Sequence, residues 1–442
     1  MKKLILVVIA LAGWTASWNA YAVLKIQSWT LSNGARVLFV ENHSIPIMDV
    51  SVEFDAGSRR DPAGKAGTAS LTNAMLARGL HEATSPIAEP AMTEAQISDA
   101  FADTGAQRGG GAGADRGGAT LRTLSSPKER DQAVALLARV LAHPSFPENF
   151  FVRDKARFIA AIKEDETKPE SIADKAFWRV LYGAHPYAKQ ETAATVEAIA
   201  REDLVAFHAA HYVANRAIVS IIGDISREQA DAIAQQLTVR LSRGEPLPAL
   251  PPVPQARGQE ERIDHPATQA HILIGAPAIA RGDPDFFALT VGNYVLGGGG
   301  FVSRLMREVR EQRGLAYSVY SYFSPLAQPG PFQAGLQTQK AQADEALKVT
   351  RGTIAAYLRE GPTPQELKAA KDNLIGGFPL RIDNNRKILD NIAAIGFYNL
   401  PLDYLDTWTA NVAKVTAADI KAAFNRKIAP DRLATVVVGN AQ

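Results

Sequence analysis

The chain has 442 residues, 46% of them hydrophobic and 21% charged, with 48 basic against 46 acidic side chains. That length exceeds what one hydrophobic core organises, so two or more domains are expected, and the apolar fraction excludes a disordered chain. A net charge of +2 gives no field to steer a polyanion and argues against nucleic acid as a partner; the lack of cysteine removes disulfides, thiolate catalysis and cysteine metal sites.

Residues 1–22 read as a signal peptide. Lys2 and Lys3 precede an apolar run over 4–13, and Ala20-Tyr21-Ala22 supplies a small-x-small cleavage pattern. The run is shorter than the about 20 residues that cross a bilayer, and no later stretch is long and apolar enough to do so. The expectation is a mature chain starting near Val23, with no membrane span, exported to a bacterial periplasm.

Alternation then predicts strands over 36–41 and 48–54, and a helix over 68–77 follows a glycine turn. The stretch Gly105 to Gly118, GAQRGGGAGADRGG, lacks the Lys-Ser/Thr ending of a phosphate-binding loop. Two amphipathic helices are predicted over 128–142 and 147–166. Prolines at 246, 248, 251, 252 and 254 exclude helix and central strand and define an extended linker over 243–262. The second half predicts helices over 286–295, 343–359 and 364–376.

The two halves read alike. ANRAIVSIIGDI, from Ala214, and PDRLATVVVGNA, from Pro430, lie 216 apart; Pro147 and Pro364 open comparable helices 217 apart; IMDVSVEFDAGSR and QAHILIGAPAIAR lie 222 apart. The predicted fold class is α+β: two homologous domains, 23–242 and 263–442, each a mainly antiparallel sheet with helices on one face, joined by the linker into a clamshell with a cleft between them.

The order of these pieces resembles the pitrilysin/insulinase family of zinc metallopeptidases, in particular small bacterial members and subunits of the mitochondrial processing peptidase. The resemblance rests on SNGARVLFVENHSIPIMDVSVEFDAGSRRDPAGKAGTA, GAHPY (183–187), HYVANRAIVSIIGDI and YVLGGGGFVSRLMREVREQRGLAYSVYS (294–321). It implies an inverted zinc motif, His-x-x-Glu-His, on the helix after the AG turn, with a further Glu on a downstream helix. Here Ser70 and Ala74 stand at the histidine positions, Asn73 at the base, and Ala160-Ala161 where the family has Glu-Glu, with Ala161 at the ligand. Alanine has no lone pair to donate and a neutral amide takes no proton from water, so no metal site is expected in this chain. His208 and His211, three apart on a helix, lack a carboxylate partner, and His185 reads as a turn residue.

The resemblance also implies an Arg and a Tyr seven residues apart that reach the cleft and hold substrate opposite the zinc. Arg310 and Tyr317 keep that spacing, with Arg310 in the last turn of a helix over 302–312 ended by Gly314, and Tyr317 near the start of a strand over 315–323. Read without the resemblance, Arg307 or Arg313 could face the cleft instead, and Tyr317 could be a core-edge aromatic. The glycine-rich 105–118 stands where the family has a cleft-lining edge strand that pairs with extended substrate, and this much glycine weakens a strand. Two functions follow as expectations. The first is the inactive subunit of a heteromeric zinc metallopeptidase, a heterodimer or larger, in which a zinc-bearing homologous chain supplies metal and base and this chain supplies Arg310 and Tyr317 to a peptide substrate. The second is a non-enzymatic peptide-binding or assembly protein of the same fold.

Overall fold

A computed structural model describes residues 24–83 and 88–439; the signal-peptide reading falls outside them. Among the described residues no helix is long and apolar enough to cross a membrane. The first sheet is built from β1 (Gln27–Thr30), β2 (Arg36–Glu41), β3 (Ile47–Phe54), β6 (Gln107–Ala112), β7 (Gly117–Leu124) and β8 (Ile218–Gly223), while β4 (Gly79–Leu80) and β5 (Met92–Thr93) form a separate short pair. The second sheet contains β9 (Glu260–Ile263), β10 (Gln269–Ile279), β11 (Ser318–Phe323), β12 (Gly330–Gln339) and β13 (Ala434–Val438).

Duplication is plain in the strand order. The first sheet runs β1-β2-β8-β3-β7-β6 and the second, read from its other edge, runs β9-β13-β10-β12-β11. Each has one parallel pair, β2 with β8 and β9 with β13, in the same place, and all other pairings are antiparallel. The second half therefore repeats β2-β8-β3-β7-β6, with β1 as an addition to the first.

The helices depart from the expected arrangement. Helices Thr68–Met75, Pro127–Ala142, Arg201–His211 and Arg227–Thr238 cover one face of the first sheet, onto which Val37 and Phe39 of β2 project. Strand alternation turns Leu38 and Val40 to the opposite face, where they join the core of the other half. Helix Asn385–Phe397, from the second half, packs there against β2, β3 and β8. It approaches so closely that a Cβ on Gly396 would lie 2.5 Å from Leu38 Cδ1. In return, helix Pro169–Tyr182 of the first half packs Ala173, Ala176 and Phe177 on Leu273, Val436 and Val438 of the second sheet. The exchanged helices begin at 169 and 385, again 216 apart. The expectation of helices on one face of each sheet is thus corrected: both faces are covered, each second face by a helix of the other half. Of the linker, 243–259 carries neither helix nor strand, and its last residues, 260–262, enter β9.

The tips of two hairpins, β6–β7 and β11–β12, meet at Asp115, only 2% exposed. Its Oδ1 accepts from Arg59 Nη1 at 2.6 Å and from the Tyr187 hydroxyl at 2.7 Å. Its Oδ2 accepts from the Ala327 N–H at 2.8 Å and from the Tyr398 hydroxyl at 2.9 Å. Burial, and then the Asp115 charge, push both tyrosine hydroxyls above their ordinary pKa, so they stay donors. His185 adds a second tie. Its Nδ1 accepts from the Tyr187 N–H, which leaves the proton on Nε2, within reach of the Pro251 carbonyl and the Gln328 side chain. Asp115→Ala leaves the Arg59 Nη1, both hydroxyls and the Ala327 N–H without this acceptor, although Arg59 keeps Asp55 at 2.9 Å; the expected cost is about 3 kcal/mol. Thermal unfolding followed by circular dichroism should show a clearly lowered midpoint; an unchanged midpoint would contradict this role.

Candidate functional site

Helix Thr68–Met75 is pinned at its start by Asp61, whose two carboxylate oxygens accept from the Gly67 and Ala69 N–H groups at 2.7 Å each. Burial raises the Asp61 carboxyl to about 6 against the pull of these two bonds. On the helix, Asn73 is buried and its Nδ2 donates to the Gly118 carbonyl at 2.9 Å and to the Tyr212 hydroxyl at 3.0 Å. The residue in the base position thus ties the helix to β7, and an acceptor-only carboxylate would face the Gly118 oxygen there. Ser70 donates to Glu191 at 3.1 Å, and Ala74 is exposed.

Ser70 and Ala74 line a pocket of about 270 Å³ with Leu71, Arg78, Asp154, Arg157 and Phe158. Asp154, Arg157 and Phe158 belong to helix Glu148–Asp165, on which Ala161, three residues past Phe158, is exposed along with Ala160. The helix pair that the resemblance assigns to metal binding is therefore together in space, but its residues do not fit zinc. Two guanidiniums occupy the walls where a divalent cation would need electron-pair donors. Among the described residues no group of three His, Asp or Glu could hold a metal ion.

The sequence reading missed this ionic lining. Arg78 Nε donates to Asp154 Oδ2 at 2.7 Å and also pairs with Glu94, while Arg153 Nε donates to Asp154 Oδ1 at 2.7 Å. Burial pushes the Asp154 carboxyl up, but the Arg153 hydrogen bond and the Arg78 charge outweigh it and hold it below its ordinary pKa. The signal was available in spacing: Arg78 lies four residues past Ala74, and 154, 158 and 161 share one helical face.

Arg310 and Tyr317 come together elsewhere. The helix expected over 302–312 forms instead as a 3-10 turn, Gly300–Val302, and a widened turn, Met306–Glu311, in which the Gln312 N–H reaches back five residues to Arg307. Gly314, at φ +64°, ends it as expected, with the Leu315 N–H bonded to the Val309 carbonyl and the Gly314 N–H to that of Arg310. β11 starts at Ser318, leaving Tyr317 just outside the strand and 80% exposed. The Arg310 guanidinium carbon lies 5.5 Å from the Tyr317 ring centre and 5.0 Å from that of Phe301. Arg307 and Arg313 pair with Glu308, at 3.3 and 2.9 Å. Arg310 has no carboxylate partner among the described residues, and no hydrogen bond, ion pair or ring contact among them joins it or Tyr317 to Ser70, Asn73, Ala74 or Ala161.

His208 and His211 are spent on the backbone: His208 Nε2 meets the Leu141 carbonyl at 2.8 Å and His211 Nδ1 that of Asp55 at 2.9 Å. The glycine-rich stretch forms β6, the last strand of its sheet, in spite of its composition. Two measurements check this geometry. Asn73→Asp leaves the Gly118 carbonyl without its donor, and urea unfolding should register a loss of about 1–3 kcal/mol. Desolvation lowers His208 from 6.5 to about 4. The unfolded chain therefore takes up this proton first, and stability present above pH 6.5 is lost as the pH falls toward 4. His208→Gln should flatten that part of the unfolding-against-pH curve.

Comparison with known proteins agrees with this geometry. Residues 198–374 match the family model described as "Peptidase M16 inactive domain". The chain is 28% identical over 393 residues to the "Non-peptidase homolog YmxG" of Helicobacter pylori, covering 87% of each chain. Among solved structures, a peptidase M16 inactive domain from Pseudomonas fluorescens superimposes with a TM-score of 0.89 at 36% identity, covering 95% of this chain and 98% of that one. The periplasmic protease PqqL from Escherichia coli shares the fold, with a TM-score of 0.78 at 16% identity, over 94% of this chain but 45% of its own. The chain therefore belongs to the peptidase M16 family, the pitrilysin/insulinase group that its sequence resembles.

Proposed function

We propose that this chain is the non-catalytic subunit of an exported, periplasmic zinc peptidase. A homologous partner chain carries His-x-x-Glu-His, its zinc ion and the general base; this chain presents Arg310 and Tyr317 to the peptide held in the partner's site. The observation that carries the reading is the contrast between the two regions. All the metal and base positions, Ser70, Asn73, Ala74 and Ala161, lack that chemistry, whereas Tyr317 stands 80% exposed beneath an Arg310 that no carboxylate among the described residues neutralises. The periplasmic protease PqqL, of which this chain matches 45%, is long enough to hold two units of this size.

The division of labour follows from charge. Attack of a zinc-activated water on a peptide carbonyl places negative charge on the carbonyl oxygen, and donors positioned for that charge lower the barrier. A tyrosine hydroxyl supplies one such donor, and the planar Arg310 fork can grip a neighbouring carbonyl of the substrate. Neither group makes hydroxide, so the pair acts only beside a partner's metal.

Added to its zinc-bearing homologue, the purified chain should raise peptide hydrolysis, and Tyr317→Phe should cut that gain by about a hundredfold in kcat/KM. Equal turnover by the homologue with and without this chain would overturn the proposal.

A further inference from the structure

The linker does more than join the halves: part of it roofs a cavity. Its last stretch is pinned at two places. His185 Nε2 lies 3.0 Å from the Pro251 carbonyl; further on, the Gly258 N–H donates to the Arg432 carbonyl at 3.0 Å and the Thr435 N–H to that of Gln259 at 2.8 Å. Gly258 sits at φ +67°, and a Cβ there would lie 2.4 Å from the Asp431 carbonyl oxygen, so the second anchor requires glycine. Between the anchors the chain carries neither helix nor strand and arches over a space of about 450 Å³. The end of helix Pro169–Tyr182 and Ala434 of β13 form the floor. Prolines 251, 252 and 254 fix the backbone of the arch, so the hollow is preformed and little ordering is needed to fill it.

The lining is mostly apolar, with Leu181, Pro254, Ala256 and Ala434 among its residues. Two arginines, Arg179 and Arg257, also line it and, among the described residues, no carboxylate does. Glu261 engages Arg179 at 2.5 Å, Glu260 engages Arg262 at 2.7 Å, and Asp431, behind Gly258, is not part of the wall. Arg257 is exposed and has no hydrogen-bond or ion-pair partner among the described residues. The helix end alone would repel an anion. The Gly183 and His185 N–H groups cap the Arg179 and Tyr182 carbonyls, however, and the Arg179 charge sits in that last turn. We infer that this cavity binds a small organic monocarboxylate with an apolar body, the body lying under the proline arch and the carboxylate on Arg257. Small-molecule sites usually enclose about 300–1,000 Å³, and a guanidinium meets a carboxylate with two parallel N–H donors that a neutral headgroup does not engage. The site is independent of the proposed subunit role.

Isothermal titration calorimetry of the mature chain tests this with octanoate and its uncharged counterpart octanol, both well below the concentration at which octanoate forms micelles. One equivalent of octanoate should bind at least about tenfold more tightly than octanol. Arg257→Gln should remove that preference while keeping the circular dichroism spectrum and unfolding midpoint. Ala184→Trp, which sets a ring at the exposed mouth of the cavity, should weaken both ligands, whereas Lys348→Gln on helix Ala343–Glu360 should change neither. Equal binding of octanoate and octanol, no binding of octanoate, or a preference that survives Arg257→Gln overturns the inference. Displacement of octanoate by acetate at the same concentration also overturns it, since the apolar body would then contribute nothing.

Discussion

One buried carboxylate holds the two halves in a fixed relation. Asp115 sits at the tip of the β6–β7 hairpin and gathers Arg59 and Tyr187 from the first half and Ala327 and Tyr398 from the second. An isolated charge so deeply buried would be costly, and four donors make it a junction instead. The second half's equivalent hairpin, β11–β12, supplies Ala327 at its own tip. The two edge strands, β6 beside the degenerate metal pocket and β11 beside Tyr317, are therefore positioned by the same group. The exchanged helices, Pro169–Tyr182 and Asn385–Phe397, reinforce this from behind the sheets.

Loss of the metal site left a repurposed interior rather than a gap. Asn73 donates where a catalytic carboxylate would accept, and the Glu94–Arg78–Asp154–Arg153 chain fills with ion pairs the space next to the former ligands. A buried carboxylate restored at residue 73 would face a carbonyl oxygen, so the helix is now built around the amide. The other half carries a tyrosine at the surface and an arginine stacked on rings, with no carboxylate partner among the described residues. In the proposed division of labour, hydrolysis needs both halves of that chemistry and this chain supplies one of them.

Much of this was legible in the sequence because it depended on local pattern. The alternation over 36–41 and 48–54 became β2 and β3, the helices expected over 128–142 and 364–376 formed within a residue of those bounds, and the two-fold repeat reappeared as one strand order. What stayed hidden depended on partners distant in the chain. Helices 169–182 and 385–397 show apolar faces that look the same whichever sheet they cover, so their exchange left no local mark. Asp115 lay in a glycine-rich stretch that reads as a loose edge, and nothing in its neighbours announces four donors. The widened turn at Met306–Glu311 also escaped, because a single wide turn is too short to alter a side-chain pattern that is read over several turns.

The proposed division of labour requires the zinc ion to belong to a different chain. Metal content by plasma mass spectrometry, on the solitary chain and on its isolated complex with the zinc-bearing homologue, tests it most directly. The expected result is no stoichiometric zinc in the solitary chain and one ion per pair in the complex. A tightly held equivalent of zinc in the solitary chain, with peptide cleavage that a chelator abolishes, would contradict it.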